Sequence, residues 1–229
     1  MKYLRGLLYC LATVLLYLGI PLLGWGLHAL RDYFSNPART GYAAVTAAFG
    51  LAVGIQAIVA PEGIRGSKGQ EDKLIRRQSV ARLGLILLLY AALVSLPFSD
   101  RQTLGVWGQN TAVRWIGVLL CALGYVLVFL SGLALGRQYS QEVTIQQDHR
   151  LVVSGVFRYI RNPRYLGVML AALGLSALFR SWVGLIGSAV VTAILLLRIK
   201  DEEALMCREF GAAWDEYCSN SWRLLPRIY

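Results

Sequence analysis

Long apolar segments constrain this chain more than any other feature of its sequence. A helix that crosses a bilayer needs about 20 predominantly apolar residues. Four segments reach that length, and they cover roughly residues 4–30, 41–60, 80–98 and 112–135. Two shorter runs, 165–180 and 182–199, are separated only by Arg180 and Ser181 and predict a tight helical hairpin with one arm that crosses incompletely. We therefore predict an all-α, polytopic membrane protein with about five to six transmembrane segments and a cytoplasmic C-terminal cap helix.

The composition agrees with a membrane protein and argues against a nucleic-acid-binding one. Of the 229 residues, 56% are hydrophobic and 16% are charged, whereas soluble domains carry about 25% charged residues. The net charge of +10 could suggest a nucleic-acid partner. The basic residues, however, lie in short loops between apolar runs, which is the pattern that the positive-inside rule describes.

The distribution of Lys and Arg predicts the orientation in the membrane. With six alternating crossings, 18 of the 23 basic residues fall on one side. The five on the other side are Arg31, Arg39, Arg101, Arg114 and Arg180. Both termini, the 61–82 loop and the 136–164 segment then face the cytoplasm. We expect an integral protein of the plasma (inner) membrane of a prokaryote.

Cysteine and histidine indicate no bound metal. The four cysteines and two histidines form no metal-binding or redox motif. Cys207 and Cys218 would lie in the reducing cytoplasm, where a structural disulfide is not expected.

The stretch from His149 to Gly167 gathers the polar chemistry of the chain. It contains several arginines, a turn at Ser154-Gly155 and a break at Asn162-Pro163. Proline is favoured at the first position of a helix, and asparagine is a common N-cap. The backbone donors of such a helix start favour an anionic group, for example a carboxylate.

The segment after the last apolar run carries acidic and aromatic residues. Asp201, Glu202 and Glu203 are consecutive there, and they either complement a helix dipole or bind a cationic ligand. One face of a predicted C-terminal amphipathic helix carries Met206, Phe210, Trp214 and Tyr217. Arginines, acids and aromatic rings together suit a nucleoside that bears an amino acid and a sulfonium, although a nucleotide phosphate would use the arginines equally well.

At these residues the chain resembles the isoprenylcysteine carboxyl methyltransferase and phospholipid methyltransferase superfamily of integral membrane methyltransferases. The resemblance covers about residues 130–229. Its elements are Gly136-Arg137, His149-Arg150-Leu151-Val152, Ser154-Gly155, Arg158-Tyr159, Arg161-Asn162-Pro163-Arg164-Tyr165-Leu166-Gly167, Ser181-Trp182, Glu202-Glu203, Phe210-Gly211, Trp214, Tyr217 and Pro226.

The resemblance implies transfer of a methyl group from S-adenosyl-L-methionine to a lipid-like or prenylated, membrane-associated acceptor, either a carboxylate or an amine. It divides the chain into N-terminal transmembrane helices, 1–135, and a cofactor-binding catalytic region, 136–229. That region would consist of a cytoplasmic loop, the helical hairpin and the C-terminal amphipathic helix. The implied partners are the lipid bilayer and the lipophilic substrate, without nucleic acid or metal.

The resemblance also implies the site residues. The cofactor-binding set comprises His149, Leu151, Val152, Gly155, Phe157, Arg161, Asn162, Tyr165, Glu202 and Glu203. A carboxylate acceptor is already a nucleophile and would be oriented by Arg161, whereas an amine acceptor needs a base, for which Glu202 and Tyr165 are the candidates. Asn162 stands where the carboxyl methyltransferases usually have histidine and is closer to the phospholipid enzymes, and Phe157 replaces a frequent tyrosine.

Two alternatives stay open at this point. The residues from Trp214 onward also resemble membrane sterol reductases that use NADPH, although those enzymes are generally longer. A transporter or another non-enzymatic membrane protein should carry ionisable residues within its spans. Here the apolar runs are nearly free of charge, and the polar residues lie at one face of the membrane.

Overall fold

The computed structural model, which describes residues 2–59, 72–108, 110–136 and 151–227, is built mainly of helices, with isolated β-bridges and no strand among those residues. This confirms the predicted all-α fold. The elements are, in chain order, α1 (Lys2–Val14), a π-helical turn (Leu15–Gly19), α2 (Ile20–Trp25), a 3₁₀ turn (Leu27–Ala29), α3 (Leu30–Ser35), α4 (Pro37–Val59), α5 (Asp72–Gln102), α6 (Thr111–Leu135), a 3₁₀ turn (Gly155–Arg158), α7 (Pro163–Leu178), α8 (Trp182–Phe210) and α9 (Ala212–Ser219).

Five helical segments in the described ranges are long and apolar enough to cross a membrane. They are Lys2–Trp25, Pro37–Val59, Val80–Gln102, Thr111–Leu135 and Trp182–Phe210. Helix α7 is also apolar, but its 16 residues are fewer than a full span requires. The prediction of five to six segments is confirmed, and the short arm of the hairpin is α7.

Pro21 shapes the first span. Proline has no backbone N–H, so in an α-helix the carbonyl of Tyr17 would lose its partner. The chain forms a π-helical turn over Leu15–Gly19 just before Pro21. The Tyr42 hydroxyl of α4 donates to the Tyr17 carbonyl at 2.5 Å, so a side chain of a neighbouring helix supplies a hydrogen bond to this carbonyl.

Helices α6 and α7 touch backbone to backbone. A Cβ placed on Gly117 would lie 2.4 Å from the backbone nitrogen of Leu178, and one on Gly124 would lie 2.5 Å from the carbonyl oxygen of Gly167. Glycines permit this approach because they carry no side chain. The contact holds the short α7 against a full span and joins the two predicted regions of the chain. The division at residue 135 stays a prediction.

Helix α5 is longer than the sequence suggested. The predicted loop at 61–82 is helical from Asp72 onward, and the helix continues through Pro97 to Gln102, beyond the apolar run at 80–98. Leu93 and Leu96, in the turn before Pro97, are almost fully buried. Packing therefore holds the helix together across the position where proline removes a hydrogen bond.

The prediction of one amphipathic helix after the last apolar run is also wrong. Helix α8 runs without a break from the hairpin to Phe210, well beyond the apolar segment. Gly211, with φ of +51°, ends it by donating its N–H to the carbonyl of Cys207 at 2.9 Å. Trp214 and Tyr217 then lie on the separate helix α9.

One end of the helix bundle is fastened by a buried group that we call the Asp100 cluster: Asp100, Arg39, Arg114 and Arg180. Arg114 binds both carboxylate oxygens, at 2.7 and 2.9 Å, and Arg180 binds Oδ1 at 2.7 Å. Arg39 lies 3.6 Å from Oδ2. The Asp100 side chain has no exposed surface. The cluster ties α4, α5 and α6 to the turn between α7 and α8.

Candidate functional site

A cavity of about 610 Å³ occupies the interior between α5, α7 and α8. At the end opposite the Asp100 cluster, its lining is polar and includes Arg161, Asn162, Glu202 and Glu203. Toward the Asp100 end, the lining becomes mainly apolar and is formed largely by side chains such as Leu89. The cavity therefore connects a charged mouth with the apolar interior of the bundle.

The polar mouth is formed where two distant segments lie side by side. The N–H of Arg161 donates to the carbonyl of Trp222 at 2.8 Å, and the N–H of Trp222 donates to the carbonyl of Tyr159 at 2.9 Å. The N–H of Asn162 continues this pairing with the carbonyl of Arg223 at 3.2 Å. These bonds fix the chain just before α7 against the segment that follows α9.

Glu203 lies at the centre of a group that we call the Glu203 cluster: Arg161, Asn162, Glu203 and Arg223. Arg161 Nε and Asn162 Nδ2 donate to Oε1 of Glu203 at 3.2 and 3.1 Å. Arg223 Nε donates to Oε2 at 2.7 Å. A buried carboxylate needs such partners, since an uncompensated charge is costly away from water. The cluster joins α8 to both segments of the mouth.

Arg161 also binds the last turn of α9 and the segment after it through another donor. Its Nη1 donates to the carbonyl of Cys218 at 3.1 Å and to the carbonyl of Ser221. The side chain is only 11% exposed. Arg161 is therefore both a lining residue and a structural link between the two segments.

Beside this cluster, Tyr165, Arg198 and Glu202 form a second polar group on the cavity wall. The Tyr165 hydroxyl donates a hydrogen bond to Oε1 of Glu202. Arg198 lies 3.6 Å from the same oxygen and 3.4 Å from the Tyr165 hydroxyl. The Glu202 side chain is 24% exposed, compared with 10% for Glu203. Glu202 is therefore the more accessible of the two carboxylates.

Aromatic side chains line the mouth from α9 and from the 3₁₀ turn before α7. The Tyr217 hydroxyl donates to the carbonyl of Phe157 at 2.7 Å. Burial raises the pKa of Tyr217 to about 12, so the hydroxyl stays protonated at neutral pH and keeps this bond. Trp214 packs edge-on against Tyr217, with ring centroids 5.5 Å apart. Such rings are suited to stack on a flat base.

The structure brings most of the predicted site residues to one cavity. Those that line it are Leu151, Val152, Phe157, Arg161, Asn162, Tyr165, Glu202 and Glu203. Gly155 is exposed and does not line it; with φ of +61°, it begins the 3₁₀ turn that presents Phe157. His149 lies outside the described residues. Asn162 occupies the expected N-cap position of α7, but its side chain donates to Glu203 and makes no capping bond.

Sequence reasoning missed several residues of the mouth. Arg198 lies four residues before Glu202 on one helix, a spacing that brings side chains together and could have identified it. Arg223 carried no comparable signal, because a bend at Gly211 and the whole of α9 separate it from Glu203. Trp214 and Tyr217, predicted on the face of an amphipathic helix but not among the site residues, line the cavity as well.

Comparison with known proteins gives a consistent result. Residues 112–213 match the family model for phospholipid methyltransferases. The chain is 22% identical over 135 residues to a protein-S-isoprenylcysteine O-methyltransferase of Dictyostelium discoideum, a match covering 58% of this chain and 54% of that protein. It is 34% identical over 101 residues to the Schizosaccharomyces pombe protein of the same description, covering 43% and 42%. The chain thus spans about half the length of the curated relatives it matches.

A solved structure shares the fold. It is that of the eukaryotic intramembrane Ras methyltransferase, an isoprenylcysteine carboxyl methyltransferase, with a TM-score of 0.53 and 17% sequence identity over 90% of this chain and 73% of the other. A Delta(14)-sterol reductase of Mus musculus is 34% identical over only 87 residues, 35% of this chain and 20% of that protein. The similarity to reductases is thus confined to a shorter part of a longer protein.

Proposed function

We propose that the chain is a member of the superfamily of integral membrane methyltransferases that contains the isoprenylcysteine carboxyl and phospholipid enzymes, and that it transfers a methyl group from S-adenosyl-L-methionine to a lipid-like or prenylated acceptor. The acceptor's reactive group is a carboxylate or an amine. In this proposal the cavity end of the bundle faces the cytoplasm.

The continuous cavity is the observation that carries the proposal. Its polar mouth and apolar interior match the two parts of an amphiphilic acceptor, a reactive head and a lipid tail. Two of the helices around the interior, α5 and α8, are long and apolar enough to cross a membrane. A lipid tail can therefore lie within the bundle while the head reaches the charged residues.

The residues of the mouth fit the proposed cofactor chemically. Glu202 offers an accessible carboxylate for an amino group, and Trp214 and Tyr217 offer flat rings for a base. Leu151 and Val152 add apolar wall. S-adenosyl-L-methionine, when bound, supplies an activated methyl group on a sulfonium. His149, as a further cofactor ligand, stays a prediction.

The protein's own contribution is alignment and proton control. Transfer from a sulfonium needs an aligned acceptor and the exclusion of water more than covalent help. For a carboxylate acceptor, Arg161 is the proposed orienting cation. For an amine acceptor, the hydrogen-bonded pair of Tyr165 and Glu202 is placed to take up the proton that the amine loses.

The orientation has a structural argument in its favour. Five basic residues were predicted on the side of the membrane opposite the cytoplasm. Three of them, Arg39, Arg114 and Arg180, are buried around Asp100. Arg101 donates to the carbonyl of Trp25 at 2.6 Å. Few basic side chains at that end are therefore available to the solvent, which strengthens the bias toward a cytoplasmic cavity end.

Calorimetric titration of the purified protein tests the cofactor. We expect S-adenosyl-L-methionine and its demethylated product to bind competitively at one site and NADPH not to bind. Transfer of a labelled methyl group to N-acetyl-S-farnesyl-L-cysteine, measured in detergent micelles, then tests the acceptor class. Binding of NADPH alone would contradict the methyltransferase proposal and favour the reductase alternative.

A further inference from the structure

Two glycines of α8 line the cavity, and they differ in what surrounds them. A Cβ on Gly184 would lie 2.8 Å from Oγ of Ser176 and 3.0 Å from a methyl carbon of Leu96, so close packing explains this glycine. A Cβ on Gly187 would have no neighbour within 4 Å. Packing between helices therefore does not require glycine at position 187. The space beside it belongs to the cavity.

Gly187 lies deep in the cavity, far from the charged mouth. It precedes Glu202 by 15 residues of one continuous helix. At a rise of 1.5 Å per residue, this corresponds to about 22 Å along the helix axis. A side chain at position 187 would therefore occupy the deep end and leave the mouth unchanged.

The surroundings of Gly187 suit a hydrocarbon. Ser176 and Ser188, two polar side chains of the lining near Gly187, form a hydrogen bond with each other at 2.9 Å. Each also lies within hydrogen-bonding distance of a carbonyl of its own helix, Ala172 at 2.8 Å and Gly184 at 2.9 Å. With these partners inside the protein, the hydroxyls do not need a polar ligand. The remaining lining at this level includes Leu96 and Leu175.

We propose that Gly187 determines how long an apolar tail the cavity accepts. The inference rests on the proposed function, because it assumes that the tail of the acceptor occupies the cavity. The missing side chain keeps the deep end open, so that a long tail can extend past this turn of α8. A short tail ends nearer the mouth and does not reach Gly187.

The test compares ligands that differ only in tail length. The full chain in detergent micelles is titrated with N-acetyl-S-geranyl-, S-farnesyl- and S-geranylgeranyl-L-cysteine in competition with the tritiated farnesyl compound. In Gly187→Leu we expect the geranylgeranyl compound to bind about ten-fold more weakly, from loss of space for one or two methylene groups. Binding of the geranyl compound should be unchanged. Gly187→Ala should show the same ranking with a smaller difference.

Gly84→Leu is the matched control. Gly84 lies on α5, a Cβ there also has no neighbour within 4 Å, and the residue does not line the cavity. This variant should bind all three compounds like the unsubstituted protein. Thermal unfolding of every variant shows whether the fold is intact. If Gly187→Leu does not fold, the comparison of tail lengths is made with Gly187→Ala.

The outcomes separate this inference from the proposed function. If folded Gly187 variants lose affinity equally for all three tails, or for none of them, Gly187 does not determine the accepted tail length. The proposed function is not affected by that result. If the unsubstituted protein binds none of the compounds, a prenylated acceptor is contradicted and this inference fails with it.

Discussion

The Asp100 and Glu203 clusters use the same chemistry at opposite ends of the bundle with different consequences. In each, one carboxylate accepts hydrogen bonds from guanidinium groups. Asp100 has no exposed surface, and its arginines direct further donors to backbone carbonyls, such as Arg114 to Leu178 at 2.7 Å. Glu203, in contrast, borders a cavity and has the more accessible Glu202 beside it. The same residue types thus fasten helices together at one end and line a cavity at the other.

Removing the charge of Asp100 should have the largest effect and should act on stability. Asp100→Asn would leave Arg39, Arg114 and Arg180 buried with no counter-charge in the cluster. Breaking a buried ion pair in this way costs about 3–5 kcal/mol. We expect a large decrease in the thermal unfolding temperature in detergent, with cofactor binding lost only where the protein has unfolded.

Asp32→Asn provides the control for that substitution. Asp32 also faces Arg39, but at 4.0 Å and with 62% of its side chain exposed. Exposed ion pairs contribute little, so unfolding should hardly change. Equal unfolding temperatures for the two variants would show that the Asp100 cluster does not hold the helices together.

Substitution of Glu203 should have the next largest effect and should act on the site. Glu203→Gln keeps the size of the side chain but loses the charge that Arg161 and Arg223 require. We expect cofactor affinity to fall about thirty-fold, which is roughly 2 kcal/mol, as for the loss of charged hydrogen bonds. Calorimetric titration measures this change. The decrease in unfolding temperature should be smaller than for Asp100→Asn.

Glu209→Gln is the matched control on the same helix. Glu209 is exposed and does not line the cavity. Its substitution should leave cofactor affinity unchanged. If Glu203→Gln binds the cofactor normally, the Glu203 cluster has no part in the site, and the contrast between the two ends fails.

The smallest effect is expected for Ser181, the N-cap of α8 at the Asp100 end. Its Oγ accepts the N–H of Gly184 at 3.1 Å. Ser181→Ala should destabilise the protein by about 1 kcal/mol without changing cofactor affinity. The control is Ser35→Ala, since the Ser35 hydroxyl is exposed and only donates to the carbonyl of Asp32. A loss of cofactor affinity in Ser181→Ala would show that the two ends are coupled.

The sequence predicted the features that depend on local patterns. Apolar length identified the spans, and the interruption at Arg180 and Ser181 identified the hairpin, because a segment's hydrophobicity is a property of the segment alone. The end of α8 was misplaced for the same reason: the apolar pattern stops near residue 199, whereas backbone hydrogen bonds continue the helix to Phe210.

Local sequence patterns did not predict the two polar clusters, because the residues of each cluster are distant from one another in the chain. The three arginines around Asp100 were counted only as loop charges, and nothing in the sequence places them around one carboxylate. Glu203 was predicted to bind the cofactor, which stays a prediction, and the position of its partner Arg223 depends on how the chain turns after α9. Tertiary contacts decide these arrangements, so a structure was needed to find them.

The pairing of Asn162 with Arg223 also sets an order of events during synthesis. Arg161 and Asn162 are made before α8, so they can meet Glu203 as soon as that helix is in place. Cys218 lies in the last turn of α9, and Ser221 and Arg223 follow that helix, so these partners emerge from the ribosome only after α8 has been made. The Glu203 cluster can therefore be completed only after all five apolar helical segments of the described residues have been synthesised.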